Sequence, residues 1–425
     1  MTRSAGGSPP GKSTSGFSLT YASSSRPARW PGQRRRLWCP PAPATLLAAA
    51  AASAVRRVPT VIRWRAGEVV ARGRTWPGAV ELQVALEDGG AARALAYPAL
   101  VGDPEPGDRV LLNVTALELG LGTGGFALVV ALPDRLPPDP PPAPGHLVKA
   151  RYSPTQAVVL GVDEQESPHH ALLADADGLD GMPVVVADLH SALPAVVAGL
   201  RAGGARPTVA YVMTDGGALP VWFSRTVAAL REAGWLAAAV TVGQAMGGDV
   251  EAVTLHTGLL AARHVLGADV AVVAQGPGNL GTGTRWGFSG VAAGEAVNAV
   301  STLGGRAVAA LRVSGADPRE RHRGVSHHSL TAYGRVALAA ADVVVPRLAD
   351  VLPGPLAEQV RAEAAGLGSR HRLVEVSCAG LPEALDASPA ALSSMGRGYA
   401  ADPAAFLSPA AAGRHAAALL GTDGR

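Results

Sequence analysis

Seven short apolar runs at near-regular spacing constrain this chain more than any other feature. They are PVVVAD (Pro183–Asp188), TVAYVMT (Thr208–Thr214), AAAVTVG (Ala237–Gly243), DVAVVAQ (Asp269–Gln275), RAVAALRVS (Arg306–Ser314), DVVVP (Asp342–Pro346) and RLVEVS (Arg372–Ser377). They are rich in β-branched residues and near-continuously apolar, as strands buried on both faces are. Segments of helical composition lie between them, for example Leu193–Arg201 and Pro220–Ala233, and Pro194 and Pro220 each suit the first turn of a helix. Leu330–Leu338 reads as helical, and so does the Ala-rich stretch Ala384–Leu420, with breaks at Pro403 and Pro409. The alternation predicts an α/β fold: a parallel sheet with helices on both faces.

The chain ahead of Gly181 reads differently. Between Val61 and Leu132, VIRWRAGEVV, AVELQVAL, ARALAYPAL, DRVLLNV and FALVVAL are separated by turn signals such as Pro77-Gly78 and Asp88-Gly89-Gly90. Short strands with such turns predict a small all-β, barrel-like domain over 61–132, preceding the α/β domain at 146–425. The proline-rich linker PDRLPPDPPPAPG, residues 133–145, would join them as a semi-rigid spacer. Residues 1–60 show no steady periodicity. They read as a disordered basic tail, as an extension from a start codon placed too far upstream, or as a signal peptide whose apolar region Pro40, Pro41 and Pro43 interrupt.

Charge follows the same division. The formal net charge is +3, yet residues 1–60 carry nine basic residues and no acid, which leaves 28 basic against 34 acidic residues beyond them. The expected barrel lacks a basic, aromatic-interleaved strand face, so no nucleic-acid partner is expected. Two cysteines, Cys39 and Cys378, are too few for a disulfide framework and fit a reducing cytoplasm. No run is long and apolar enough to predict a membrane span, and no membrane partner is expected.

In an open parallel sheet, ligands bind beyond the carboxyl ends of the strands. Those ends carry Asp188 and His190, Asp215, Gln244, Gln275, and Ser314 with Asp317. Gln275 opens the loop QGPGNLGTGTRWG, in which Gly276, Gly278 and Gly281 spell G-x-G-x-x-G between a strand and a helix. Glycines let a backbone approach an anion and a helix N-terminus supplies free N–H groups, so Gly276, Gly278, Asn279, Gly281 and Thr282 are candidate phosphate or cofactor ligands. A tight turn in a glycine-rich protein is the plainer alternative. The P-loop lysine is missing, and the basic residues after Ser314 suit a 2′-phosphate better than a ribose hydroxyl.

Histidine and carboxylate form the second constellation. Asp188, His190, His327 and His328 are candidate acid–base residues, with His327-His328 expected in a loop, and Asp163, Glu164 and Glu166 precede His169-His170. The same residue types serve a catalytic Zn, Mn or Fe site, but tight ligand spacing such as H-E-x-x-H does not occur. Thr282 and Thr284 could bind phosphate or close a turn. Trp286 reads as a packing anchor and Cys378 as a small buried residue.

Several strings together, GDRVLLN (107–113), LGLGTGG (119–125), GHLVKARY (145–152), DEQESPHH (163–170), QGPGNLGTGT (275–284), GVSHHSLTA (324–332) and SMGRGYAADP (394–403), resemble an uncharacterised bacterial family, a domain of unknown function. The resemblance spans Val61 to the C-terminus and implies no catalytic roles. The residues themselves suggest a cytoplasmic α/β enzyme binding a phosphorylated or nucleotide-like small molecule at the strand rim. A non-catalytic ligand sensor or scaffold that uses the β-domain for partner binding is the alternative. Metal, cofactor and oligomeric state stay open.

Overall fold

The computed structural model describes residues 62–421. The expectations for residues 1–60, and Cys39 with them, lie outside that range.

Five strands, β1 (Trp64–Trp76), β2 (Ala79–Leu86), β3 (Ala91–Ala96), β4 (Arg109–Asn113) and β5 (Ala127–Ala131), close a barrel in the order β1-β2-β3-β5-β4. Strand β4 returns antiparallel to β1, while β3 and β5 run parallel. This is the strand order of an OB barrel, an architecture rather than an activity. Alternate residues point inward: in β4, Val110 and Leu112 are buried and Arg109 faces out. The register of β1 shifts between Val69 and Ala71 and again between Arg72 and Thr75, so one long strand bends around two sides of the barrel. Two short helices, α1 (Pro98–Val101) and α2 (Thr115–Glu118), plug its connections.

The rest of the described chain builds one large sheet. A hairpin, β6 (Leu147–Lys149) with β7 (Ala157–Val159), and α3 (His170–Leu173) lead into β8 (Pro183–Val186), α4 (Leu193–Arg201), β9 (Val209–Thr214) and α5 (Arg225–Glu232). Then come β10 (Ala238–Thr241), β11 (Val250–Glu251), α6 (Leu255–Leu260), β12 (Val270–Gln275), α7 (Ala292–Thr302) and β13 (Arg306–Ala310). A second hairpin, β14 (Val313–Ser314) with β15 (Gly324–Val325), precedes α8 (His327–Thr331), β16 (Asp342–Arg347), α9 (Leu356–Ala364) and β17 (Arg372–Ser377). The chain continues through α10 (Leu381–Asp386), a small hairpin of β18 (Ser393–Ser394) and β19 (Arg397–Gly398), and α11 (Ala404–Leu420). Eight strands pair in the order β11-β10-β9-β12-β8-β13-β16-β17, all parallel. The α/β fold with a preceding β-barrel is borne out.

Composition explains the packing. Every residue of β8 and of β12 is buried, as helices on both faces require. Aromatics are few, and small residues let elements approach closely instead. A Cβ on Gly199 of α4 would lie 1.9 Å from the Ala410 carbonyl oxygen of α11, and one on Gly413 of α11 would lie 2.0 Å from that of Val196. The barrel docks through Ala79, Leu95, Tyr97 and Phe126, against which Trp222 and Phe223 pack, and the Trp76 indole donates to the Trp222 carbonyl at 2.7 Å.

Five local expectations need correction. His327 and His328 open helix α8 rather than lying in a loop, because Ser326 caps that helix by accepting from the His328 backbone N–H. The helix then widens into a π-wound turn over Ala332–Val336, short of Leu338. Pro409 lies inside α11 without ending it, and the segment ahead of Pro403 folds as α10 and a hairpin. Pro220 is extended and α5 begins at Arg225, where Ser224 provides the cap. The expected strand Arg306–Ser314 stops at Ala310, and Val313–Ser314 pairs with Gly324–Val325 instead, which puts Arg312 at the turn. Among the described residues no helix is long and apolar enough to cross a membrane.

Candidate functional site

Strand β8 occupies the centre of the sheet, and the chain leaves it toward β9 on one side while β13 leads on to β16 on the other. Such a reversal opens a crevice at the carboxyl ends of the strands. Two fully buried tyrosines mark where the ladder stops. The Tyr333 hydroxyl, from the π-wound turn, lies 2.9 Å from the Val186 carbonyl and 3.2 Å from that of Ala310, so it serves the last carbonyls of β8 and β13. The Tyr211 hydroxyl donates to the Gln275 carbonyl at 2.9 Å at the end of β12. Burial raises both phenols well above the usual range, so both remain donors.

Beyond those caps, polar side chains converge. Asp188 is only 4% exposed, and its Oδ2 lies 3.5 Å from His328 Nδ1 and 3.8 Å from Arg312 Nη1. Arg312 Nη1 is 3.2 Å from His328 Nδ1. The Phe288 ring stacks on His328 at 3.8 Å, holding the imidazole plane, and His327 and His322 pack against the same ring at 4.5 and 4.9 Å. His322 Nδ1 meets Ser326 Oγ at 2.7 Å. Each of His322, His327 and His328 offers a ligand atom within 4.8 Å of the others. Burial first, and then neighbouring Arg312 and Arg319, push His322 down to about 3; burial, His328 and Arg321 push His327 down to about 4. Both imidazoles are thereby held in the neutral form, the one that binds a metal.

Three buried polar atoms at this rim make no hydrogen bond: Asp188 Oδ2, Gln275 Oε1 and His327 Nε2. Only two other such side-chain atoms occur among the described residues, Thr123 Oγ1 and Arg201 Nε. Gln275 belongs to the same cluster, since its Nε2 donates to the Asp188 carbonyl at 2.8 Å and to Asn279 Oδ1 at 2.9 Å. Arg312 is the cation of the site, with a side chain only 10% exposed. Nearby Arg319 and Arg397 are occupied by Asp317, whose carboxyl their contacts hold far below the usual carboxylate range.

The sequence candidates divide. Asp188, His327 and His328 come together. His190 does not join them: its Nδ1 meets the Tyr211 hydroxyl at 3.0 Å and its Nε2 meets Ser224 Oγ at 2.7 Å, so both nitrogens are used. Burial pushes it down to about 4. The acidic run before His169-His170 also stays apart from the cluster, with Glu164 accepting from Gly161 N at 2.7 Å and His170 Nδ1 meeting the Asp163 carbonyl at 2.7 Å.

The glycine loop is structured by its own atoms. Gly276 packs on Ala218, whose carbonyl oxygen a Cβ would approach to 2.3 Å, and Thr282 N donates to the Gly287 carbonyl at 2.7 Å. The Thr282 hydroxyl pairs with Thr284 at 3.1 Å. Asn279 Oδ1 also faces Ser289 Oγ at 3.3 Å, Gly281 bridges to Phe288, and Gly278 sits in the left-handed region with open space around it. Helix α7 starts at Ala292, well past Gly281, so the motif does not place its glycines against a helix N-terminus. Trp286 is 55% exposed rather than packed. Cys378 is buried and its thiol is pushed up to about 12 by burial, which leaves it inert.

Sequence reading missed His322, hidden in the basic run Arg319–Arg323, and Phe288. His322 and His327 are five residues apart across a turn, a spacing that matches neither helix nor strand periodicity. No curated protein and no solved structure matches the chain. A family model does match it over residues 93–413, most of the described range, and the chain therefore belongs to the family described as protein of unknown function, DUF3866.

Proposed function

We propose that this protein is a cytoplasmic enzyme acting on a small anionic molecule, phosphorylated or nucleotide-like, at the carboxyl ends of β8, β12 and β13. The observation that supports this reading is that three buried polar atoms without a hydrogen bond belong to Asp188, Gln275 and His327, at or beyond the carboxyl ends of an open parallel sheet. Buried polar groups are left without partners at a cost, and a substrate that supplies the missing partners offsets it. Arg312 would hold the anion, and Asp188 would orient His328 within the imidazole cluster of His322, His327 and His328.

A thermal-shift screen of the full chain against phosphate, sugar phosphates, nucleotides and NAD(P)(H) tests it. A ligand at about a hundred times its Kd adds roughly 2.7 kcal/mol to the folded state. A shift lost in Arg312→Gln supports the assignment; a shift that survives that change places the anion elsewhere and sinks it.

A second reading, a sensor or scaffold with the barrel as its contact surface, is favoured by a different feature. A groove of about 560 Å³ runs between the barrel residues Trp64, Leu128 and Val130 and the rim residues Leu219, Pro220 and Pro277, with a mostly apolar lining. Apolar ligands that stabilise the wild type but not Trp64→Ser, with no response to anions, would favour it.

A further inference from the structure

The rim site supports a more specific reading, which rests on the enzyme assignment above. We propose that His322, His327 and His328 bind one divalent transition-metal ion of the zinc class through Nε2, with Asp188 as the outer carboxylate that orients His328.

Three observations point the same way. The first is the donor set. Three imidazoles with ligand atoms within 4.8 Å of one another come from one turn and the first turn of α8. A tetrahedral site with metal–nitrogen bonds of about 2.1 Å needs donors about 3.4 Å apart, so the cluster contracts when the ion binds. Three histidines with an open fourth position form the donor pattern of catalytic zinc.

The second is the outer contacts. A metal-binding histidine usually gives its other ring N–H to a carboxylate, carbonyl or hydroxyl, which fixes the tautomer. His322 Nδ1 has Ser326 Oγ at 2.7 Å, and His328 Nδ1 has Asp188 Oδ2 at 3.5 Å. In each ring the contact occupies Nδ1 and leaves Nε2 as the nitrogen for a metal. His328 has two tautomers open to it. With a bare Nδ1 it accepts from Arg312 at 3.2 Å and leaves Asp188 Oδ2 idle; with Nδ1–H it donates to Asp188 and frees Nε2 for a metal.

The third is His327 itself. Its Nε2 is buried and unbonded, a lone pair or N–H with nothing to meet. A neutral imidazole is ready to coordinate without first losing a proton. Arg312 opposes a cation here, and the buried Asp188 carboxylate offsets that charge.

The test is a cobalt and zinc titration of the full chain after chelator treatment and desalting, followed by calorimetry and by the visible spectrum of bound Co²⁺. The expected result is about one ion per chain with the spectrum of a four-coordinate nitrogen site. His327→Gln is the main variant because His327 makes no hydrogen bond that folding needs; it should lower affinity at least tenfold with an unchanged melting midpoint. Asp188→Asn should weaken binding about tenfold. His146→Gln, at a histidine side chain that is 90% exposed, should change nothing.

Wild-type protein that takes up no cobalt, or takes it up equally in His327→Gln, overturns the metal site. The anion screen is repeated in chelator. An anion shift that persists there without any cobalt binding rejects the metal and keeps the enzyme reading. Cobalt binding without any anion response keeps the metal and rejects the anionic substrate.

Discussion

Two buried polar clusters sit on the same sheet, and they are finished to different degrees. At the β10–β11 edge, Lys149 is fully buried and its Nζ reaches the carbonyls of Ala245 at 2.9 Å and Ala252 at 3.0 Å, and Glu251 Oε2 at 3.3 Å. Glu251 accepts from Thr241 Oγ1 at 2.7 Å and from Gly247 N at 2.6 Å. Burial pulls the amine down and pushes the carboxyl up, and their mutual contact opposes both shifts. At the centre of the sheet, by contrast, Asp188, Gln275 and His327 each retain a buried atom without a hydrogen bond. The edge cluster is closed on itself and pins the β6–β7 hairpin. The central one is open toward a partner from outside the chain. Satisfaction, rather than burial or charge, separates structure from candidate function here.

Mutations break or sharpen that contrast. The largest effect is expected at the edge: Lys149→Ala strands Glu251 and several carbonyls, and should cost about 3–5 kcal/mol in urea unfolding. A loss of less than 1 kcal/mol would mean the edge cluster is no more structural than the rim. The next effect is one of pH. His190 titrates at about 4 when folded against about 6.5 when unfolded, so between those values the unfolded chain binds more protons. Stability from this group is full above pH 6.5 and lost as pH falls toward 4, by up to about 3 kcal/mol. His190→Gln should flatten that part of the stability–pH curve; an unchanged curve would show that the ring is not held neutral by its surroundings.

Tyr333→Phe removes the donor from the Val186 and Ala310 carbonyls and should cost about 1–2 kcal/mol. The smallest effect on folding is expected at the open cluster. His327→Gln should stay within about 0.5 kcal/mol of wild type while ligand binding falls. A destabilisation as large as that of Lys149→Ala would erase the distinction.

Much of the fold was legible because buried parallel strands announce themselves locally. Val184, Val185 and Val186 leave little choice, and Leu193–Arg201 reads as a helix and is one. The two-residue β11 was missed because it offers no run to read. Strand order was not legible: nothing local tells that β12 inserts between β9 and β8. The site was half legible for the same reason. Asp188 and His328 stood out by chemistry and position, but the choice between His190 and His322 depends on which ring is saturated by Tyr211 and Ser224 and which faces the cluster. Those contacts span from 4 to 34 residues of sequence and follow from tertiary packing. The glycine motif was legible by its letters, while the distance to helix α7, which starts at Ala292, was not.

Helix α11 lies against β8, β13, β14, β16 and β17 as well as α4 and α10. During synthesis these partners emerge first, and the parts of β8, β13, β16 and β17 that α11 covers stay open until residues 404–420 follow. The partly made chain is thus the aggregation-prone species, with the rim residues already translated but their supporting sheet unsealed. A chain cut before Ala404 should therefore aggregate more readily than one that includes α11.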